Sequence, residues 1–231
     1  MKMKFLAILL VLFGFLLRVW RSEELAGFDF DGERAAFWIR DLILFHKISL
    51  IGQEISLGGI FIGPFFYFFL TPFYYFWKMD PVAASIGVSL VSIFTMILIY
   101  KVGTRLFGQK TGLLALFLYA VSFRLNYYDR TTAPSNLIMI CSLTVLYILT
   151  GEITRFRGLL LGAVLGLTFS VHPTAVLLLP IVLTFFLWNK KKFSGKILIT
   201  VLGLMLFIWP LIIFDLRHEF IGDIGSKIIG G

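Results

Sequence analysis

Long apolar runs follow one another along this 231-residue chain and constrain its fold more than any other feature. They lie at about residues 5–20, 60–77, 82–100, 112–128, 134–150, 158–172, 174–189 and 197–214. Hydrophobic residues make up 59% of the chain and charged residues 15%, against about 45–50% and about 25% in soluble domains. The pattern therefore predicts an all-α membrane protein, a polytopic helical bundle.

The net charge of +8 comes from basic residues that are grouped between the apolar runs. Four clusters hold 11 of the 21 basic residues: Lys2 and Lys4; Lys101, Arg105 and Lys110; Arg155 and Arg157; and Lys190, Lys191, Lys192 and Lys196. Cytoplasmic loops near anionic lipid have this pattern. The charge therefore predicts a lipid bilayer as partner and no nucleic acid.

The placement of the basic clusters decides between two topologies. If all eight runs crossed the bilayer, Lys101–Lys110 would lie on the opposite side from Lys2 and Lys4, against the positive-inside tendency. All four clusters become cytoplasmic if residues 60–77, which contain two prolines among aromatic residues, are re-entrant or lie at the outer surface. The sequence thus predicts about seven spans, a cytoplasmic N-terminus and a location in the plasma (inner) membrane.

The same topology gathers acids, bases and imidazoles on the external face. This set comprises Asp29, Asp31, Glu33, Arg34, Glu54, Asp129, Arg130, His172, Asp215, Arg217 and His218. Positive loops on one side and mixed charges on the other are typical of a membrane enzyme with an external active site.

An acidic stretch in the first external loop precedes a predicted surface helix. Apolar residues recur with helical spacing after Asp31, at Ala35, Trp38, Ile39, Leu42 and Phe45. Asp31 stands where a helix N-cap would, so a structural capping role and a catalytic role both remain open for it.

Five segments carry a family resemblance. They are Asp31-x-x-Arg34-x-Ala36-x-x-x-Arg40-Asp41-Leu42, Gly63-Pro64-Phe65-Phe66-Tyr67, Gly103–Gly108 with Gly112–Ala115, Ser122–Arg130, and Phe214–His218. Their order and spacing resemble the GT-C membrane glycosyltransferases, in particular the protein-mannosyltransferase-like and aminoarabinose-transferase-like families. Many members have two adjacent acids at the first segment, whereas here Gly32 separates Asp31 from Glu33.

The resemblance implies a fold, a reaction and a site. Residues 1–231 would form one transmembrane glycosyltransferase module, with residues 21–81 as its external catalytic loop. Members of these families are usually longer, which leaves open whether this is only their N-terminal module. The implied reaction transfers a hexosyl or pentosyl group from a polyprenyl-phosphate-linked donor to an envelope acceptor (protein, lipid or glycan) by inverting displacement.

The resemblance assigns the catalytic carboxylate to Asp31. The candidates for substrate or phosphate binding are Arg34, Glu54, Asp129, Arg130, His172, Arg217 and His218. Snorkelling to the interface remains an alternative for Arg130 and Arg217, and a turn role remains one for His172. A cofactor is not assigned, but a divalent metal stays open, with Asp29 and Glu33 as candidate ligands.

Two other functions remain as alternatives. One is a transporter or flippase of lipid-linked intermediates, although transporters place their charges near the membrane midplane. The other is a noncatalytic membrane assembly subunit. The sequence has no Walker A pattern, no His-Glu-x-x-His and no paired Cys ligands, so it offers no motif for those chemistries.

Overall fold

A computed structural model describes residues 2–55, 59–188 and 195–218, with residue 218 described by its backbone only. The described helices are α1 (Lys2–Val19), α2 (Ser22–Leu25), α3 (Phe30–Phe45), α4 (Phe65–Phe76), α5 (Val82–Phe107), α6 (Gln109–Val121), α7 (Phe123–Tyr128), α8 (Asn136–Leu149), α9 (Arg155–Val171), a 3-10 helix (Pro173–Leu177), α10 (Leu178–Trp188) and α11 (Ile197–His218). Within the described ranges the only β-type pairing is an isolated bridge between Glu54 and Phe61. The predicted all-α class is confirmed.

Two helices in the described part of the chain are long and apolar enough to cross a membrane, at Val82–Phe107 and Ile197–Arg217. The predicted seven spans are therefore not confirmed. Several other apolar helices are shorter, for example α6 with 13 residues and α8 with 14. At 1.5 Å per residue such a helix measures about 20 Å, less than the roughly 30 Å of hydrocarbon in a bilayer.

Five basic residues, with at least one from each of the four clusters, lie at one end of the bundle. Lys4 and Lys101 line one groove, Arg105 and Arg157 both lie beside Gly151, and Lys196 lies beside Gly158. Lys190, Lys191 and Lys192 lie outside the described residues. The grouping that the charge pattern predicted is thus present in the packing of the described members.

The aromatic segment between residues 60 and 77 stays in one half of the bundle. Its helix α4 is about 18 Å long and packs against the beginning of α5, where Leu70 and Phe73 contact Gly87. Phe66, Leu70 and Tyr74 form a fully buried cluster with Ala84. Because α4 lies beside the first turns of α5, it does not reach the end where Lys101 lies. That this segment does not cross the bilayer stays a prediction.

Helices α9 and α11 approach closely through glycines. A side-chain Cβ at Gly162 would collide with the carbonyl of Thr200, and one at Gly166 would collide with the carbonyl of Leu204. Small residues let two backbones meet in this way inside membranes. Gly162 and Gly166 thus form a Gly-x-x-x-Gly packing face on α9 against α11.

The segment after α2 forms the predicted helix, α3, with one correction at its start. Ala35 and Ile39 are fully buried, as the helical spacing predicted, whereas Phe45 at the end is exposed. Asp29, not Asp31, is the N-cap: its backbone is extended and its carboxylate accepts a hydrogen bond of 3.1 Å from the Gly32 amide. Asp31 lies inside the first helical turn.

Candidate active site

A cavity of about 360 Å³ opens at the start of α3, at the end of the bundle opposite the basic clusters. Four of the predicted site residues line it: Asp31, Arg34, Glu54 and His172. They come from three separate parts of the chain, because the cavity lies between α3, the segment after residue 50 and the end of α9. Pro134 and Ser135 complete the wall.

The carboxylate of Asp31 is held by a chain of hydrogen bonds. Gln53 donates from Nε2 to Asp31 Oδ1 at 2.8 Å. The Tyr67 hydroxyl donates to Gln53 Oε1 at 3.3 Å and accepts from the backbone N–H of Gln53 at 3.0 Å. Tyr67 is 1% exposed and stacks on Trp38, with ring centroids 5.1 Å apart. A rigid aromatic support thus fixes the orientation of Gln53 and, through it, Asp31.

Backbone pairing explains why Gln53 reaches Asp31. The Gly52 amide donates to the Ile62 carbonyl at 2.7 Å, and the Ile62 amide donates to the Gln53 carbonyl at 3.0 Å. Gly63 then lies against Ser170, and a Cβ at Gly63 would overlap that serine. The paired segment is therefore fixed to the end of α9, which brings Gln53 and His172 to one cavity.

Arg34 supplies a cation to the cavity wall. Its guanidinium carbon lies 4.0 Å from the centroid of the Phe30 ring, and Nη1 donates to the Glu54 carbonyl at 3.3 Å. The Glu54 carboxylate accepts a hydrogen bond from the Gly59 amide. Arg34 is thus held by Phe30 and by the Glu54 carbonyl, while the Glu54 carboxylate binds the backbone of its own loop at Gly59.

His172 follows α9 and begins the 3-10 helix. Its Nδ1 accepts from the Thr174 amide at 3.2 Å and lies 2.9 Å from the Thr174 hydroxyl. The predicted turn role is therefore present, and the ring also lines the cavity. With Nδ1 accepting, the neutral ring carries its proton on Nε2 and has that N–H to donate.

Asp129 and Arg130 lie away from this cavity. Arg18 Nε donates to Asp129 Oδ2 at 2.7 Å, and the Tyr119 hydroxyl donates to the same oxygen at 2.8 Å. Arg18 is fully buried and Asp129 is 8% exposed. Burial raises the pKa of the Asp129 carboxyl, and the Arg18 guanidinium opposes that rise. Arg130 donates from Nη2 to the carbonyls of Leu17 and Trp20.

These contacts fix the turn after α7 onto the end of α1. Asn136 extends the support: its side chain accepts from the Ala133 amide at 2.9 Å and donates to the Tyr128 carbonyl at 2.8 Å. The Tyr128 hydroxyl donates to Ser135 at 3.0 Å. The turn that carries the cavity residue Ser135 is therefore bonded to the end of α1 before it and to the start of α8 after it.

The remaining candidates have other surroundings. Asp29 caps α3, and Glu33 is exposed on its first turn. Among the described residues no three His, Cys, Asp or Glu side chains converge as metal ligands would. Arg217 is exposed near the end of α11, and the side chain of His218 lies outside the described residues.

A second cavity of about 350 Å³ adjoins the first. Ile55 and Ile62 line both of them. The second is walled mainly by apolar side chains of the paired segment, α9 and α11, and Asp215 stands at its edge. A polar cavity and an apolar groove thus share one wall.

Sequence comparison bears on this arrangement of helices and cavities. Residues 62–214 match the model of the dolichyl-phosphate-mannose-protein mannosyltransferase family. The chain belongs to this family. It is therefore a glycosyltransferase of the GT-C type, as the resemblance in sequence implied. The matched range includes Ser135 and His172, whereas Asp31, Arg34 and Gln53 precede it. No curated protein and no solved structure gives a match.

Proposed function

We propose that the protein transfers a sugar from a polyprenyl-phosphate donor to an acceptor of the cell envelope, at the external membrane face. The observation that carries the proposal is the polar cavity with Asp31 and Arg34 beside an apolar groove that shares its wall. A lipid-linked sugar has a polar head and an apolar chain, which match the polar cavity and the apolar groove. Its sugar phosphate occupies the polar cavity and the first part of its lipid chain occupies the groove.

Asp31 acts as the general base in this proposal. It accepts the proton of the acceptor hydroxyl while that oxygen attacks the anomeric carbon. The bond from the anomeric carbon to the phosphate oxygen breaks, its electrons remain on the phosphate, and the configuration inverts. Gln53 occupies Asp31 Oδ1, so the second carboxylate oxygen takes the proton. The support from Tyr67 keeps that geometry fixed.

Arg34 stabilises the leaving lipid phosphate, on which negative charge grows during the transfer. A cation that is oriented before the charge develops is effective in that role. Its stacking on Phe30 supports the assignment, because the guanidinium plane is held before substrate arrives. His172 donates from Nε2 to the substrate. Arg217, beyond the groove residue Asp215, contacts the donor phosphate as it enters.

The orientation in the membrane follows from the two ends of the bundle. The basic clusters lie at one end and the Asp31 cavity at the other. By the positive-inside rule the basic end is cytoplasmic, so the cavity is external and the N-terminus is inside the cell. Seven spans, with residues 60–77 not crossing, satisfy this arrangement in the plasma membrane. The shorter helices then cross with flanking residues or in a thinned bilayer.

Donor turnover tests the proposal. The full chain, purified in detergent, is incubated with radiolabelled polyprenyl-phosphate sugars that differ in the sugar, and with envelope lipids or proteins as acceptors. At least one donor should lose its sugar to an acceptor, with release of lipid monophosphate. If no donor is consumed while the protein binds one of them, a noncatalytic or transport role replaces the proposal.

A further inference from the structure

A second lipid-sized groove lies at the basic end of the bundle. It has a volume of about 520 Å³ and runs between α1, α5 and α6. Its walls are apolar, with Ile8 and Leu12 exposed along α1 and Leu116 buried on α6. It is separate from the cavity of Asp31, which lies at the other end.

Two lysines border this groove, and both belong to basic clusters. Lys4 stands in the first turn of α1, and Lys101 stands in the last third of α5. The Lys101 ammonium lies 5.8 Å from the centroid of the Tyr147 ring. Tyr100 also lines the groove, and its hydroxyl accepts a hydrogen bond of 3.2 Å from Gln109. The groove is thus walled almost wholly by apolar atoms, and two lysines and a tyrosine border it.

We propose that this groove binds one anionic glycerophospholipid of the cytoplasmic leaflet. An acyl chain lies along Ile8 and Leu12, and the phosphate group lies between Lys4 and Lys101. Charge complementarity selects an anionic headgroup, because the described acids do not line the groove and two cations do. The site ties the start of α1 to α5 and α6, and it is independent of the proposed sugar transfer.

Lipid counting by native mass spectrometry tests the site. The full chain in neutral detergent is titrated with phosphatidylglycerol and, separately, with phosphatidylcholine of the same acyl chains. The chain should retain one phosphatidylglycerol in preference to phosphatidylcholine. The double variant Lys4→Gln/Lys101→Gln should lower that preference about 25-fold, since each lysine near an anionic surface is worth about a factor of five.

The double variant Lys2→Gln/Lys110→Gln is the matched control. It removes the same charge from the same end of the bundle, but these lysines do not line the groove. It should keep the preference. Ile8→Trp, which keeps both lysines and fills the groove, should also reduce phosphatidylglycerol retention. Equal losses in the two lysine variants, retention unchanged by Ile8→Trp, or equal retention of both lipids by the native chain would each overturn the proposal.

Discussion

Gln53 donates a 2.8 Å hydrogen bond to the carboxylate of Asp31, although 22 positions separate the two residues in the chain. The contact depends on the pairing of Gly52 and Gln53 with Ile62, and on the Tyr67 hydroxyl that holds the Gln53 side chain. A catalytic carboxylate needs such a fixed orientation, since small displacements from the reactive geometry reduce rates strongly. Two uncharged residues, Gln53 and Tyr67, thus hold the Asp31 carboxylate in place.

Removal of the Gln53 side-chain amide should impair the chemical step. We expect Gln53→Leu to lower kcat about 10- to 100-fold with little change in KM, because hydrogen bonds to charged groups contribute about 1.5–3 kcal/mol. Tyr67→Phe should have a smaller effect in the same direction. Steady-state kinetics with a labelled donor would measure both. Gln109→Leu, at the other end of the bundle, is the control, and an equal loss in that variant would refute a specific role for Gln53.

Loss of the buried cation Arg18 should destabilise the fold. We expect Arg18→Met to lower the free energy of unfolding by about 3–5 kcal/mol, because Asp129 would remain buried without its partner. Replacing both residues, as Arg18→Met/Asp129→Leu, should recover part of that loss. Denaturant unfolding in detergent would give the values. The exposed pair of Arg21 and Glu24 provides the comparison, and Arg21→Met should cost less than about 1 kcal/mol. Similar values for the two single variants would contradict this account of the buried pair.

The two ends of the bundle should label from opposite sides of the membrane. In a Cys141→Ser background, an impermeant thiol reagent added to intact cells should modify Glu33→Cys and leave Lys110→Cys unmodified. Glu33 is exposed near the Asp31 cavity, and Lys110 is exposed at the basic end. Permeabilised cells should show both modified. Modification of both in intact cells would disprove the proposed topology.

Arg217 should affect donor binding more than catalysis. It is exposed at the end of α11, two residues after Asp215 at the edge of the apolar groove. We expect Arg217→Ala to raise the KM for donor about tenfold, and Arg217→Lys to do so less, because lysine keeps the charge and loses the planar fork. Arg155→Ala at the basic end is the control. A donor KM unaltered by Arg217→Ala would leave interfacial snorkelling as the explanation for this residue.

The sequence predicted features that depend on local pattern. The buried face of α3 at Ala35 and Ile39 followed from helical spacing. The sequence also placed Arg34 on the helix that follows Asp31, and the two residues line one cavity. These features need only neighbouring residues and the period of a helix.

Other features depend on distant contacts, and the sequence did not reveal them. Nothing local pairs Arg18 with Asp129, which lies 111 positions away, so Asp129 was expected at the external site rather than in a buried ion pair. Gln53 belongs to no motif. The N-cap was misplaced because Asp29 and Asp31 are both good capping residues, and only the backbone conformation distinguishes them. The seven spans stay a prediction, because two described helices are long and apolar enough to cross a membrane and several other apolar runs form shorter helices.

The most direct test of the central claim compares two carboxylates of one turn. Asp31→Asn keeps the size of the side chain and removes the proton acceptor, whereas Asp29→Asn keeps a good helix cap, since Asn caps about as well as Asp. Both variants should fold and insert as the native chain does. Transfer of labelled sugar from a polyprenyl-phosphate donor should fall about 10²–10⁴-fold in Asp31→Asn and stay within a few fold in Asp29→Asn. Transfer at the native rate by Asp31→Asn would show that Asp31 is not the catalytic base.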